Sequence, residues 1–258
     1  MKHFLTICLT IVCFAILVLG NQHWKEKTKV TAYEDKSGLY KEEKDEAEHV
    51  GTEILSYTKK WPVEAQLSYK RAINDKKPYK ILIAGSPALG QQSSGWAYIL
   101  KDKLKETFHE TIVVSVKIYD LNSTQIIEER KYEELAAEKA DLILLEPFIL
   151  KDNGQVTIEN SNENINKIIE SIKTANLGAI VLLQPANPLF QAKYYPVQVD
   201  SLKEYAESNN ITYLNHWDAW PDPQSEDIKK FLIGEPGTPN EKGHQLWADY
   251  LIDYFIAD

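Results

Sequence analysis

KILIAGSPALG, Lys80-Ile81-Leu82-Ile83-Ala84-Gly85-Ser86-Pro87-Ala88-Leu89-Gly90, decides the fold. Its apolar run shows no polar alternation and ends in Gly, which suits a strand buried on both faces of a parallel sheet. SSGWAYILKDKLKETF (93–108) follows as a helix, with Ser94 near its cap and Trp96, Ile99, Leu100 and Leu104 on one face. The same alternation then repeats. TIVVSVKIYD (111–120), DLILLEP (141–147), AIVLLQP (179–185) and ITYLNHW (211–217) read as strands. Residues 123–140, 161–176, 199–210 and 243–257 read as helices. Strict alternation predicts a three-layer α/β/α domain over 79–258, with a doubly wound, mainly parallel, flavodoxin-like sheet of about five strands. Ligands of such sheets sit outside the carboxyl ends of the strands, here at loops 85–94, 120–124, 146–154 and 184–195.

The chain has 258 residues, enough for one medium-sized domain with a short appendage. With 43% hydrophobic residues it can bury a core. A net charge of -9, without a basic stripe interleaved with aromatics, argues against a nucleic-acid partner. AGSPALG lacks the Lys-Ser/Thr of a phosphate loop and the spacing of a dinucleotide fingerprint. No His/Asp/Glu cluster has metal-ligand spacing, so neither cofactor nor metal is expected.

Residues 4–20, FLTICLTIVCFAILVLG, carry no charge. That length lies between a secretory apolar core of about 7–15 residues and a membrane-spanning helix of about 17–25. Residues 1–24 therefore read as a signal peptide or an N-terminal membrane anchor, and the protein as exported: held at the cell membrane with its domain outside, or secreted. Both cysteines, Cys8 and Cys13, fall in this run, which leaves the body of the chain free of thiols, as an exported protein favours. Residues 25–78 read as a Lys/Glu-rich spacer followed by an amphipathic lead-in, in which Pro62 begins or breaks a helix and Ile54, Leu55, Tyr57, Trp61, Leu67, Tyr69 and Ala72 face inward.

Ser86 stands at the tip of the first strand among small residues, where backbone N–H groups can approach a developing oxyanion. ILIAGSPALG resembles the first block of the SGNH/GDSL hydrolases, in which a strand ends in Gly-Asp-Ser and a glycine follows four residues after the serine. Ser86 and Gly90 keep that interval, and Gly85 replaces the usual Asp. Gly95-Trp96 is similar to the pair that opens the first helix of bacterial members. GTPNEKGHQLWADYL (237–251) resembles the last block, Pro239, Asn240, Gly243 and His244 falling on its pattern.

The resemblance implies an SGNH-type fold and a serine esterase or deacylase that forms an acyl-enzyme on Ser86. Exported, it would act on an acyl ester, such as one of a cell-envelope glycan or lipid. The family's base is the histidine before Pro-Asn, and here Thr238 occupies that position, with Glu235 at the orienting acid. A threonine hydroxyl cannot accept a proton near neutral pH. His244, at the start of the last helix, and His216, after the fifth strand with Asp218 nearby, are the candidate replacements; a triad needs one of them within about 3–4 Å of Ser86 Oγ. For the oxyanion, Gly85, Gly90, Asn122, Lys151 and Asn153 are the candidate donors, the last two replacing the asparagine of the third block, Gly-x-Asn-Asp, if Asp152 matches its aspartate. Two alternatives stay open: a catalytically impaired relative that keeps the pocket for binding, and an O-acyltransferase using the same serine.

Overall fold

The structure, a computed structural model, describes residues 53–91, 93–234 and 237–257. The apolar run 4–20, most of the charged spacer and Glu235 lie outside the described residues. Among the described residues no helix is long and apolar enough to cross a membrane.

The compact unit begins at Ile54. Pro62 has no N–H to contribute and precedes helix α1 (Val63–Asn74). Trp61, 3% exposed, lies against Tyr69, Tyr79, Phe108 and Phe255, and its indole N–H donates to the Phe255 carbonyl at 2.9 Å. This cluster ties the lead-in to both ends of the domain. Leu67, expected to face inward, is 56% exposed; Ala65 and Tyr69, four residues apart on one helical face, are buried in its place.

The main sheet holds β1 (Tyr79–Gly85), β2 (Ile112–Ile118), β3 (Leu142–Leu145), β4 (Ile180–Leu183) and β5 (Thr212–Tyr213) in the order β2-β1-β3-β4-β5. Every pairing in it is parallel. β3, Leu-Ile-Leu-Leu, is buried at every residue, as a strand covered on both faces must be. Helices α2 (Trp96–Phe108), α3 (Ser123–Glu128), α4 (Lys131–Ala137), α5 (Ile149–Asp152), α6 (Ile158–Ala175) and α7 (Tyr195–Ser208) connect the strands. After β5 come a two-stranded ribbon, β6 (Leu232–Ile233) and β7 (Thr238–Pro239), and the last helix, α8 (Glu241–Phe255). α8 packs on α2, while α6 packs on α3, α4 and α7, so two groups of helices cover the sheet.

The single helix expected over 123–140 is two. Arg130 takes a left-handed conformation (φ 57°) between α3 and α4. A break here lets Ile126 and Leu135 both reach the core. At the front of α3, Asn122 and Gln125 form a reciprocal capping box.

The order reverses direction at β1, which has β2 on one side and β3 on the other. That is the switch point of a doubly wound sheet, where the crevice for a ligand opens. Ser86 follows β1 directly and Glu146 follows β3. Since Ala84 pairs with Leu145 across these strands, the residues after them meet at the crevice.

Candidate active site

Pro87–Leu89 form a short 3-10 turn capped by Ser86, whose Oγ accepts the Ala88 N–H at 3.3 Å. The Trp96 indole N–H donates to the Ala88 carbonyl at 3.0 Å, pinning this turn to α2. Ser86 is 1% exposed and lines a cavity of about 370 Å³ with Pro87, Asp120, Lys151, Asn153, Asn187 and Thr238 among its walls. A roomier hollow of about 600 Å³ lies around Arg71, Lys80 and Asp141, at the amino ends of β1 and β3. Volume alone would favour it, but ligands of open α/β sheets bind at the carboxyl ends, where the Ser86 cavity is.

From the sequence Glu146 is no more than one possible member of a carboxylate pair with Asp152 or Glu235, since nothing there holds two of these groups at a defined distance. The fold does hold it. Glu146 is fully buried, and its Oε2 accepts the Ser86 N–H at 2.7 Å. A Cβ on Gly85 would stand 2.8 Å from that same oxygen and from Glu146 Cβ. The carboxyl thus fills the space that a side chain at position 85 would need.

Burial pushes the Glu146 carboxyl up to about 7, with hydrogen bonding from Ser86 acting in the opposite direction and the nearby Asp152 charge adding to the rise. This has a consequence for stability. Below the ordinary value near 4.5 the proton is bound in both folded and unfolded chains; between there and about 7 only the folded chain keeps it, and above about 7 neither does. The associated stability is lost as pH rises through about 7. Glu146→Gln should therefore gain stability over the wild type on going from pH 5 to pH 8, by about 2 kcal/mol. Urea unfolding of both proteins at the two pH values measures this difference.

The two histidines sit elsewhere. His216 is fully buried and stacks on Trp247 at 3.9 Å. Its Nε2 faces the Pro185 carbonyl at 3.0 Å and its Nδ1 accepts the Trp220 indole N–H at 3.1 Å, which fixes a neutral ring with a proton on Nε2. Burial depresses it to about 3. With both nitrogens engaged, His216 is a core residue and does not match the expectation of a base. His244 accepts the Trp96 N–H on Nδ1 at 3.4 Å and lies against Gly90, so close that a Cβ there would be 2.7 Å from its Cε1. Burial depresses it to about 4. Neither imidazole is among the residues lining the Ser86 cavity, and the fully buried Glu146 carboxyl is not among them either.

Of the other candidates, Thr238 lines the cavity and donates its hydroxyl to the Ile233 carbonyl at 3.2 Å. Lys151 and Asn153 line it too, with Lys151 paired to Asp120 at 2.7 Å. Asn122 is spent on the α3 cap, and its amide reaches Gln155 at 3.4 Å. Gly90, at φ 83°, closes the turn behind Ser86. Asp152 is a structural clamp: its two oxygens accept the Ser123 N–H at 2.7 Å and the Ser161 hydroxyl at 2.6 Å. Asn187, a further wall residue that sequence reasoning missed, donates its amide to the Pro188 and Gly237 carbonyls at 3.1 and 2.9 Å, and so braces the loop that carries Thr238. Asn240 and Gly243 make the start of α8. Asn240 accepts the Gly243 N–H at 3.1 Å, and a Cβ on Gly243 would fall 2.3 Å from the Phe231 carbonyl oxygen. Among the described residues no group of His, Cys, Asp and Glu is placed to hold a metal.

No protein-family model matches the chain, and no curated protein sequence does. Solved structures do resemble it. An acetylxylan esterase from Geobacillus stearothermophilus is 15% identical, with a TM-score of 0.54 over 69% of this chain and 94% of its own. A GDSL-like lipase from Bacteroides thetaiotaomicron is 16% identical, with a TM-score of 0.52 over 74% of this chain and 98% of its own. An α/β hydrolase enzyme from the metagenome of Lake Arreo, Spain, is 13% identical, with a TM-score of 0.55 over 69% and 94%. With five parallel strands in the order β2-β1-β3-β4-β5 and Ser86 at the tip of β1, this chain has the fold of the SGNH/GDSL hydrolases.

Proposed function

We propose that the domain is a carboxylic-ester hydrolase that acts through an acyl-enzyme on Ser86 without an active-site imidazole. One observation carries the reading: Ser86 lines the cavity at the switch point of the sheet and is hydrogen-bonded at its N–H to a buried carboxyl. Lys151 and Asn153 on the wall are the donors available to an oxyanion, since the Ser86 N–H is already engaged. The similar structures include an acetylxylan esterase and a GDSL-like lipase, in keeping with an acylated glycan or a lipid ester as substrate. The apolar run at 4–20 supports action outside the cytoplasm, at the membrane or beyond it. An alcohol in place of water would turn the same acyl-enzyme into an O-acyltransferase.

The second reading is a binding protein that has lost turnover. Thr238 in the histidine position and the lack of an imidazole among the cavity-lining residues favour it. Hydrolysis of p-nitrophenyl acetate by the wild type and by Ser86→Ala separates the two. The esterase reading expects Ser86→Ala to lose about a thousandfold or more of the rate. Equal rates in the two proteins contradict it, and leave the binding protein.

A further inference from the structure

The site has a nucleophile without the histidine that would activate it, yet a carboxyl is built into the nucleophile's own surroundings. We propose that Glu146 is the general base of this site, taking the Ser86 proton in place of the missing imidazole. This inference rests on the reading of Ser86 as an acyl-transfer nucleophile.

Three geometric facts carry it. Glu146 Oε2 is held 2.7 Å from the Ser86 N, so the carboxyl is fixed relative to the serine by the serine's own backbone. Its second oxygen, Oε1, is buried and has no hydrogen-bond partner among the described residues, which leaves a lone pair open to accept a proton. Gly85 is the residue whose lack of a Cβ gives this carboxyl room, against Leu89 as well as against Glu146 itself. A structural carboxylate would be expected to have both oxygens satisfied, as Asp152 does through Ser123 and Ser161.

The groups that face Glu146 suit the role. Asp152 on α5 raises its affinity for a proton while hydrogen bonding from Ser86 and the Phe148 backbone lowers it, the Tyr195 phenol on α7 is pushed up by burial first and by Glu146 second, and no ion pair to Glu146 is formed among the described residues. A carboxyl tuned upward by burial is a stronger base than one in water, and a base that titrates near the working pH is the efficient one.

Ser86 Oγ attacks the acyl carbon while its proton passes to the Glu146 carboxylate. The tetrahedral adduct collapses by breaking the bond to the alkoxy oxygen, which leaves with that proton as the alcohol. Water then attacks the acyl-serine, gives a proton to Glu146, and the proton returns to Ser86 Oγ as the carboxylic acid departs.

The test is the rate of Ser86 labelling by a fluorophosphonate between pH 5 and pH 9, in wild type, Glu146→Gln, Glu146→Asp and Ser86→Ala. The wild-type rate should rise through a single ionisation close to pH 7, and Glu146→Gln should lose about a hundredfold or more together with that ionisation. Glu146→Asp, which keeps a carboxyl on a shorter stem, should be slowed but keep a single ionisation. Glu146→Gln labelled at the wild-type rate overturns the inference while leaving the Ser86 reading intact. A wild-type profile that climbs without levelling also overturns it, since it needs no base of that kind, and this outcome does not depend on any variant folding. If wild-type Ser86 is not labelled at any pH, both the inference and the reading beneath it fall.

Discussion

Gly90→Ala is expected to cost about 3–5 kcal/mol of the stability of a domain whose total is on the order of 5–15 kcal/mol. Two independent penalties combine. Gly90 has φ 83° and ψ 170°, a region that residues with a Cβ essentially do not enter. The added methyl would also lie 2.3 Å from the Gly95 Cα and 2.7 Å from His244 Cε1. Both neighbours are constrained. Gly95 is backbone, with its own Cβ position 2.6 Å from the Gly90 carbonyl carbon and the Leu89 oxygen, and His244 is held by the Trp96 N–H. Gly90 and Gly95 therefore cannot move apart without moving the turn that presents Ser86. Gly154→Ala is the comparison: it too has a positive φ, 75°, but nothing lies within 4 Å of an added Cβ. It should cost only about 1 kcal/mol, the backbone part alone. Urea unfolding of the two variants reads the difference, and a Gly90→Ala midpoint equal to that of Gly154→Ala would contradict the close approach described for the loop.

Trp247→Ala should cost a comparable amount, about 3–5 kcal/mol. The indole is fully buried between Trp96, 4.6 Å away, and His216, 3.9 Å away, and its N–H donates to Gln184 Oε1 at 3.0 Å. Removing it opens a cavity and strands the Gln184 oxygen, whose own amide nitrogen already has no partner among the described residues. Trp247→Phe retains most of the stacking and loses the hydrogen bond, so it should cost clearly less, about 1–2 kcal/mol. Thermal or urea unfolding of the two variants orders them. Equal losses would mean that the hydrogen bond, and not the stack, dominates.

The order of strands and helices was legible because burial on both faces writes itself into runs such as Ile81-Leu82-Ile83-Ala84 and Leu142-Ile143-Leu144-Leu145. The break at Arg130 was not, because Arg carries no turn signal and the helical periodicity runs on through its left-handed conformation. Ser86 could be placed from its position at a strand end alone. Its partner could not. Glu146 lies 60 residues away in sequence, and only the adjacency of β1 and β3 brings the two together. The histidines illustrate the converse. His216 and His244 looked available because side-chain chemistry is visible in a sequence, whereas the aromatic stack around one and the glycine turn under the other are not.

The relation between Gly85 and Glu146 had a trace in the sequence all the same. A glycine ends the first strand and an acid directly follows the third, and the pairing of Ala84 with Leu145 sets the two against each other. Reading them jointly needs the register Ala84 to Leu145, which periodicity does not supply.

The most direct test of the account is to quench the wild-type protein with acid during turnover of p-nitrophenyl acetate and locate any acetyl group by peptide mass spectrometry. The account predicts a single acetyl on the peptide that contains Ser86, absent from Ser86→Ala. Acetyl groups confined to lysines or to other hydroxyls, with the Ser86 peptide unmodified, would contradict it.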